Sequence, residues 1–183
     1  MTQSKTQFGY IRHPDQDRRE ADPAHHPVVI VGAGPVGLSL AIDLAQRGQR
    51  VVLLDDADRI GEASRAICFS KRSLEFWDRL GVGSRMVDKG VVWSVGKIFH
   101  GEQQLYQFNL LPEEGHKRPA FINLQQFYAE AYLVDRVQEL PAIDLRWRNK
   151  VSALEQRNDH VVLAIETPDG SYRLAASHLV SCD

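Results

Sequence analysis

Residues 28–55, with the sequence VVIVGAGPVGLSLAIDLAQRGQRVVLLD, decide the fold of this chain. They begin with four apolar residues, 28–31, which predict a short buried strand. Glycines follow at the G-x-G-x-x-G spacing, and apolar residues that recur every three to four positions predict a helix. A second apolar run, 51–54, predicts another strand and leads into Asp55. This order of strand, glycine loop, helix, strand and acid predicts a βαβ unit that binds a dinucleotide.

Each residue of the glycine loop has a role in such a site. Gly32 permits a sharp turn, Gly34 lets the backbone approach a diphosphate, and Gly37 lets the helix pack closely against the strand. Pro35 and Val36 open the helix, whose free N–H groups and positive dipole end attract the anion. We therefore assign these five residues to a cofactor-binding site.

Asp55 is assigned to the same site. It lies eighteen residues after Gly37, where an acidic side chain accepts hydrogen bonds from a ribose hydroxyl of the dinucleotide. The alternative is a glycine-rich turn that binds nothing. The complete order of elements disfavours that alternative, since a lone glycine triplet lacks the flanking strands, helix and acid.

Composition limits the class of protein. The chain has 183 residues, 43% of them hydrophobic and 25% charged, which is typical of a globular domain. Its formal net charge of -2 gives no support for binding to nucleic acid or to a membrane surface. The N-terminus lacks the apolar core of a secretory signal, so we expect a cytoplasmic protein. His25, His26, Cys68 and Cys182 lack the spacing of a metal site, and no metal ligand is assigned.

The sequence predicts one folded domain after a leader. Residues 1–27 are polar and contain prolines, so we expect a flexible N-terminal arm, with Phe8, Tyr10 and Ile11 as residues that could anchor it. Residues 28–183 are assigned to the nucleotide-binding domain.

After Asp55 the pattern departs from a simple β-α-β-α repeat. Ser70 is a predicted helix cap, Gly81 ends that helix, and a β-hairpin is predicted over residues 91–111. Asn123 is expected to cap a helix over residues 124–139. Further strands are expected over residues 144–147, 151–155, 161–166, 172–175 and 178–182. The fold class is therefore α/β, a Rossmann-like βαβ with an inserted hairpin and helices.

These motifs resemble those of the flavin-dependent aromatic hydroxylases, the single-component FAD monooxygenases that include phenol and 3-(3-hydroxyphenyl)propionate hydroxylases. Residues 28–55 are similar to the first FAD motif of that family. Three further stretches resemble later motifs, namely RAICFSKRSLEFWDRLG (65–81), NLQQFYAEAYL (123–133) and LVSCD (179–183). The combination is specific where a single motif is not, and it covers residues 27–183.

The resemblance implies three more cofactor contacts. Arg65 is expected to contact FAD, and Gln126 to contact the flavin, with Gln125 as the alternative register. Asp183 belongs to a family signature that binds FAD and the nicotinamide donor. Ser181 departs from the small residue usual there, and the glycine and arginine that complete the signature are absent. The chain is thus expected to be a truncated FAD-binding domain from a longer enzyme.

The resemblance also implies a reaction. NADH or NADPH would reduce bound FAD, and one oxygen atom of O₂ would be transferred to a small phenolic substrate. Because the cofactor carries this chemistry, no catalytic residue is assigned in this part of the enzyme. A homo-oligomer is compatible with the sequence. The alternatives are a nicotinamide-dependent dehydrogenase, disfavoured by the interrupted topology, and a truncated domain that binds FAD without activity.

Overall fold

A computed structural model describes residues 6–61 and 66–183. The chain divides into two compact units, one of residues 1–62 and 130–183 and one of residues 63–129. In chain order, the elements are a 3-10 helix (Pro14–Asp17), β1 (Ala24–Val31), α1 (Pro35–Gln46), β2 (Val51–Leu54), β3 (Cys68–Ser70), α2 (Lys71–Leu80), α3 (Gly83–Lys89), β4 (Val91–Trp93), β5 (Val95–His100), β6 (Gln103–Asn109), β7 (Phe121–Asn123), α4 (Gln126–Gln138), β8 (Ile143–Arg146), β9 (Lys150–Gln156), β10 (Val161–Thr167) and β11 (Gly170–Ser181).

The first unit is built on a six-stranded sheet of order β8-β2-β1-β11-β10-β9. Strands β8, β2, β1 and β11 are parallel, and β10 and β9 continue the sheet antiparallel. Apolar side chains that include Val29, Leu54 and Leu163 form a buried cluster on the sheet. Helix α1 buries Leu38 and Ile42. This mixed sheet with a parallel βαβ core confirms the predicted α/β, Rossmann-like class.

Strand β1 begins earlier than the sequence predicts. Ala24, His25 and His26 pair in register with residues of β11, so the strand starts four residues before Val28. Side chains in this segment alternate between half-buried and exposed positions. Because histidine is polar, hydropathy did not predict this part of the strand, which backbone pairing with β11 stabilises.

The last strand corrects another prediction. Residues 172–175 and 178–182 were expected to form separate strands, whereas β11 is one strand of twelve residues. Its first part pairs antiparallel with β10 up to Ala176, and its later part pairs parallel with β1 from Leu174. Exposed Ser177 and His178 interrupt the apolar pattern where the strand changes its neighbours.

The second unit contains a three-stranded sheet of order β3-β7-β4 and the hairpin β5–β6. Helix α2 is confirmed with its caps, since Ser70 Oγ accepts a hydrogen bond from Ser73 N–H and Gly81 ends the helix. The hairpin is shorter than predicted, because β4 pairs with β7 instead. The predicted cap at Asn123 is wrong, because this residue ends strand β7 and its Oδ1 accepts a hydrogen bond from Trp93 Nε1 at 2.8 Å.

Described residues before β1 contact other parts of the first unit. The Phe8 ring stacks on Trp147 with ring centroids 4.7 Å apart, and Phe8 is 6% exposed. Phe8 N–H donates a hydrogen bond to Asp58 O at 2.6 Å. Ile11, by contrast, is 81% exposed.

Within the described residues, no helix has the length and hydropathy needed to cross a membrane.

Candidate functional site

The loop between β1 and α1 forms the candidate site, and its first glycine makes the turn. Gly32 has a φ of +100°, a left-handed conformation that side-chain-bearing residues rarely adopt. A Cβ at this position would lie 2.8 Å from Asp183 N. Gly32 N–H donates to Leu54 O at 2.8 Å, which ties the turn to β2. Both backbone conformation and space therefore require glycine at this position.

Gly34 faces open space. It is the N-cap of helix α1, and a Cβ added there would meet no atom within 4 Å. The first N–H groups of a helix have no partner within the helix, so they are available to an anion. Pro35 and Val36 begin the helix, and Val36 is 66% exposed. The space beside Gly34 fits the close approach of a diphosphate to the backbone.

Gly37 serves packing rather than access. A Cβ at this position would collide with Gly32 O and lie 3.3 Å from Cys182 Cβ. Helix α1 is thus held against the turn and against the end of β11. The three glycines occupy distinct environments, namely a left-handed turn at Gly32, open space at Gly34 and close packing at Gly37.

Asp55 follows β2, and its carboxylate contacts the glycine loop. Oδ2 accepts a hydrogen bond from Ala33 N–H at 2.5 Å, and Oδ1 accepts one from Ala57 N–H at 2.9 Å. Burial raises the pKa of Asp55, these two hydrogen bonds lower it, and the charges of Asp56 and Asp183 raise it further. A carboxylate has about four acceptor positions, so Asp55 can also accept hydrogen bonds from ribose hydroxyls.

We expect the stability of the chain to depend on pH through Asp55. A carboxyl whose pKa is raised by folding binds its proton more tightly in the folded state. Its stabilising contribution is therefore full below the unfolded value of 3.8 and is lost as the pH rises through the folded pKa. The free energy of unfolding of the wild type, minus that of Asp55→Asn, should fall as the pH rises above 3.8. A difference that stays flat or grows with pH would contradict this account of Asp55.

The structure brings part of the predicted site together. Gly32, Asp55 and Asp183 lie close to one another in the first unit, where the parallel strands β1, β2 and β11 end. Gln126 is the first residue of α4, in the second unit, and Gln125 directly precedes it. Arg65 lies outside the described residues. In residues 6–61 and 66–183, no group of three His, Cys, Asp or Glu side chains is arranged to hold a metal ion.

Sequence reasoning missed the residues that hold the backbone of Asp55. Asp55 N–H donates to Arg146 O at 3.1 Å, and Asn149 N–H donates to Asp55 O at 2.8 Å. Arg146 and Asn149 are both buried, which such polar residues tolerate only with partners. The available signal was their position on either side of Trp147, at the end of strand β8 and just beyond it.

The chain is similar to several known proteins. A family model described as an FAD binding domain matches residues 25–183. A para-nitrophenol 4-monooxygenase of Pseudomonas sp. (strain WBC-3) is 27% identical over 85% of this chain, and an anhydrotetracycline monooxygenase of Streptomyces rimosus is 31% identical over 86% of it. A crystal structure of p-nitrophenol 4-monooxygenase from Pseudomonas putida DLL-E4 matches 87% of the chain with a TM-score of 0.81 and 26% identity.

These relatives are much longer than the present chain. The match spans 39% of the Pseudomonas sp. protein, 30% of the Streptomyces protein and 41% of the crystallised one. The likeness therefore leaves most of the length of each relative unmatched.

Proposed function

Because this chain belongs to the FAD binding domain family, we propose that it binds FAD as part of a flavin-dependent aromatic monooxygenase. Its relatives confirm the resemblance to aromatic hydroxylases that the sequence motifs predict. The observation that carries the proposal is the open space at Gly34, beside the N-terminus of α1 and on the loop that Asp55 contacts.

The residues of the loop have separate tasks in this proposal. The backbone at Gly34 and the first N–H groups of α1 hold the diphosphate of FAD. Asp55 accepts hydrogen bonds from the adenosine ribose while it stays bound to the loop through Ala33. Arg65 and Gln126 are proposed cofactor contacts on the family resemblance, and Asp183 on its nearness to Gly32 as well.

When bound, FAD supplies the redox chemistry by which NADH or NADPH and O₂ hydroxylate a phenolic ring. The residues in this chain bind and orient the cofactor, and none is assigned to proton transfer. The nicotinamide-dependent dehydrogenase remains disfavoured. After β2 the chain forms a separate unit, residues 63–129, before β8 joins the sheet, so a simple β-α-β-α repeat is interrupted.

Equilibrium titrations of the purified chain with FAD, FMN and NADH test the proposed cofactor. We expect FAD to bind at least about tenfold more tightly than FMN. FMN lacks the adenosine ribose, whose hydroxyls would donate hydrogen bonds to Asp55. Tight binding of NADH together with no binding of FAD would contradict the proposal and support the dehydrogenase.

Activity is tested separately, with FAD present. A phenol that stimulates both oxidation of NADH or NADPH and consumption of O₂ would support hydroxylation by this chain. A chain that retains flavin and does neither would support the alternative of a binding domain without activity of its own.

A further inference from the structure

We propose that Asp15, in the segment that precedes the family-matched region, positions Asp55 through a chain of buried side chains. The matched region begins at residue 25, so Asp15 lies outside it. The inference rests on the proposed function, since it treats Asp55 as the residue that holds the ribose of FAD.

Arg146 is the first link in this chain of contacts. Its side chain is 3% exposed, and it donates hydrogen bonds to Asp15 Oδ2 at 2.7 Å and to Asp144 Oδ2 at 2.6 Å. His26 Nε2 lies 2.8 Å from the same Asp15 oxygen. Burial alone would raise the pKa of Asp15, but hydrogen bonds from His26 and Arg146 hold it well below its usual range. Asp15 is thus a charged partner of the buried Arg146 guanidinium. Removal of one partner from a buried ion pair is costly in free energy.

Tyr172 and Asn149 continue the contact to Asp55. Arg146 Nη1 donates to Tyr172 Oη at 3.2 Å, and Tyr172 Oη donates to Asn149 Oδ1 at 2.8 Å. Asn149 is 2% exposed and Tyr172 is 6% exposed, so water competes little for these hydrogen bonds. The main chain of Arg146 and Asn149 then binds both the N–H and the C=O of Asp55.

The same N-terminal segment also contacts the corner between β8 and β9 and the loop after Asp55. Phe8 stacks on Trp147, which lies between the two residues that bind the Asp55 backbone. Its N–H donates to Asp58 O at 2.6 Å, three residues beyond Asp55. Residues 6–15 therefore contact the segment that binds the Asp55 backbone at two points. These are the ion pair of Asp15 with Arg146 and the stacking of Phe8 on Trp147.

Asp15→Asn tests this link, and Asp17→Asn is its matched control. Asp17 lies in the same 3-10 helix, but its carboxylate is 71% exposed and pairs with Arg12 at the surface. In the cofactor-free chain, we expect Asp15→Asn to speed amide hydrogen exchange at Ala33 and Ala57, the donors to Asp55, by about fivefold. Asp17→Asn should leave both amides unchanged.

Tyr172→Phe provides a second, independent test. It removes the hydroxyl between Arg146 and Asn149 without changing the ring, and Tyr106→Phe on the exposed hairpin is its control. We expect Tyr172→Phe, like Asp15→Asn, to weaken FAD binding by about three- to tenfold, with hydrogen exchange in β10 unchanged.

The outcomes separate this inference from the proposed function. If wild-type chain fails to bind FAD, the proposed function is wrong, and exchange at Ala33 and Ala57 still tests the link from Asp15. If FAD binds but both variants leave these amides and the affinity unchanged, the inference is wrong. Equal acceleration of exchange in β10 would also overturn it, because Asp15 and Tyr172 would then serve general stability.

Discussion

Gly34→Val is expected to abolish FAD binding and to leave the fold intact. A Cβ at this position meets no protein atom within 4 Å, so the added side chain has room in the cofactor-free chain. It fills the space through which the diphosphate would approach the loop and the start of α1. We expect affinity for FAD to fall by at least about 100-fold, equivalent to about 2.8 kcal/mol.

Two measurements distinguish blocked access of FAD from misfolding in this variant. The thermal unfolding temperature of Gly34→Val should stay close to that of the wild type, while flavin binding is lost. Gly9→Val is the control, because a Cβ at Gly9 also meets no atom within 4 Å and this residue lies outside the loop. Retained flavin in Gly34→Val would contradict the assignment of the loop to the diphosphate.

Gly37→Ala should have the opposite effect, loss of stability rather than loss of access. Its Cβ would collide with Gly32 O, a backbone atom of a turn that the hydrogen bond from Gly32 N–H to Leu54 O fixes. We expect a destabilisation of about 3 kcal/mol, at the upper end of the usual cost of overpacking. For a domain of this size, that cost lowers the unfolding temperature by about 6–12 °C.

Thermal unfolding of the cofactor-free chain measures this effect directly. Gly9→Ala serves as the matched control, since its Cβ has open space. An unfolding temperature within about 2 °C of the wild type would mean that helix α1 can move away from the turn at little cost, and that Gly37 is not needed for packing.

The βαβ unit and helix α2 were predictable because their sequence signals are local. Apolar periodicity, the glycine spacing and the caps at Ser70 and Gly81 each act within a few residues of the chain, and the structure confirms these elements. Strand β11 was split in the prediction because its two neighbours, β10 and β1, support different parts of it. That support comes from pairing partners distant in sequence, which periodicity does not reveal.

The supports of Asp55 were not predictable for the same reason. Asp15 and Arg146 are 131 positions apart, and the residues between them show no pattern that indicates the contact. The glycines and Asp55 were found because a dinucleotide imposes a fixed spacing on them. Arg146, Tyr172 and Asn149 obey only the requirement that buried polar groups find partners, which many arrangements can satisfy.

The most direct test of the central claim is a visible absorption spectrum of the purified chain, taken after FAD has been added and the excess removed. Flavin binding at the loop around Gly34 predicts a retained flavin band in wild-type chain and its loss in Gly34→Val. A folded, monodisperse wild-type chain that retains no flavin would contradict the claim that this chain binds FAD at the loop around Gly34.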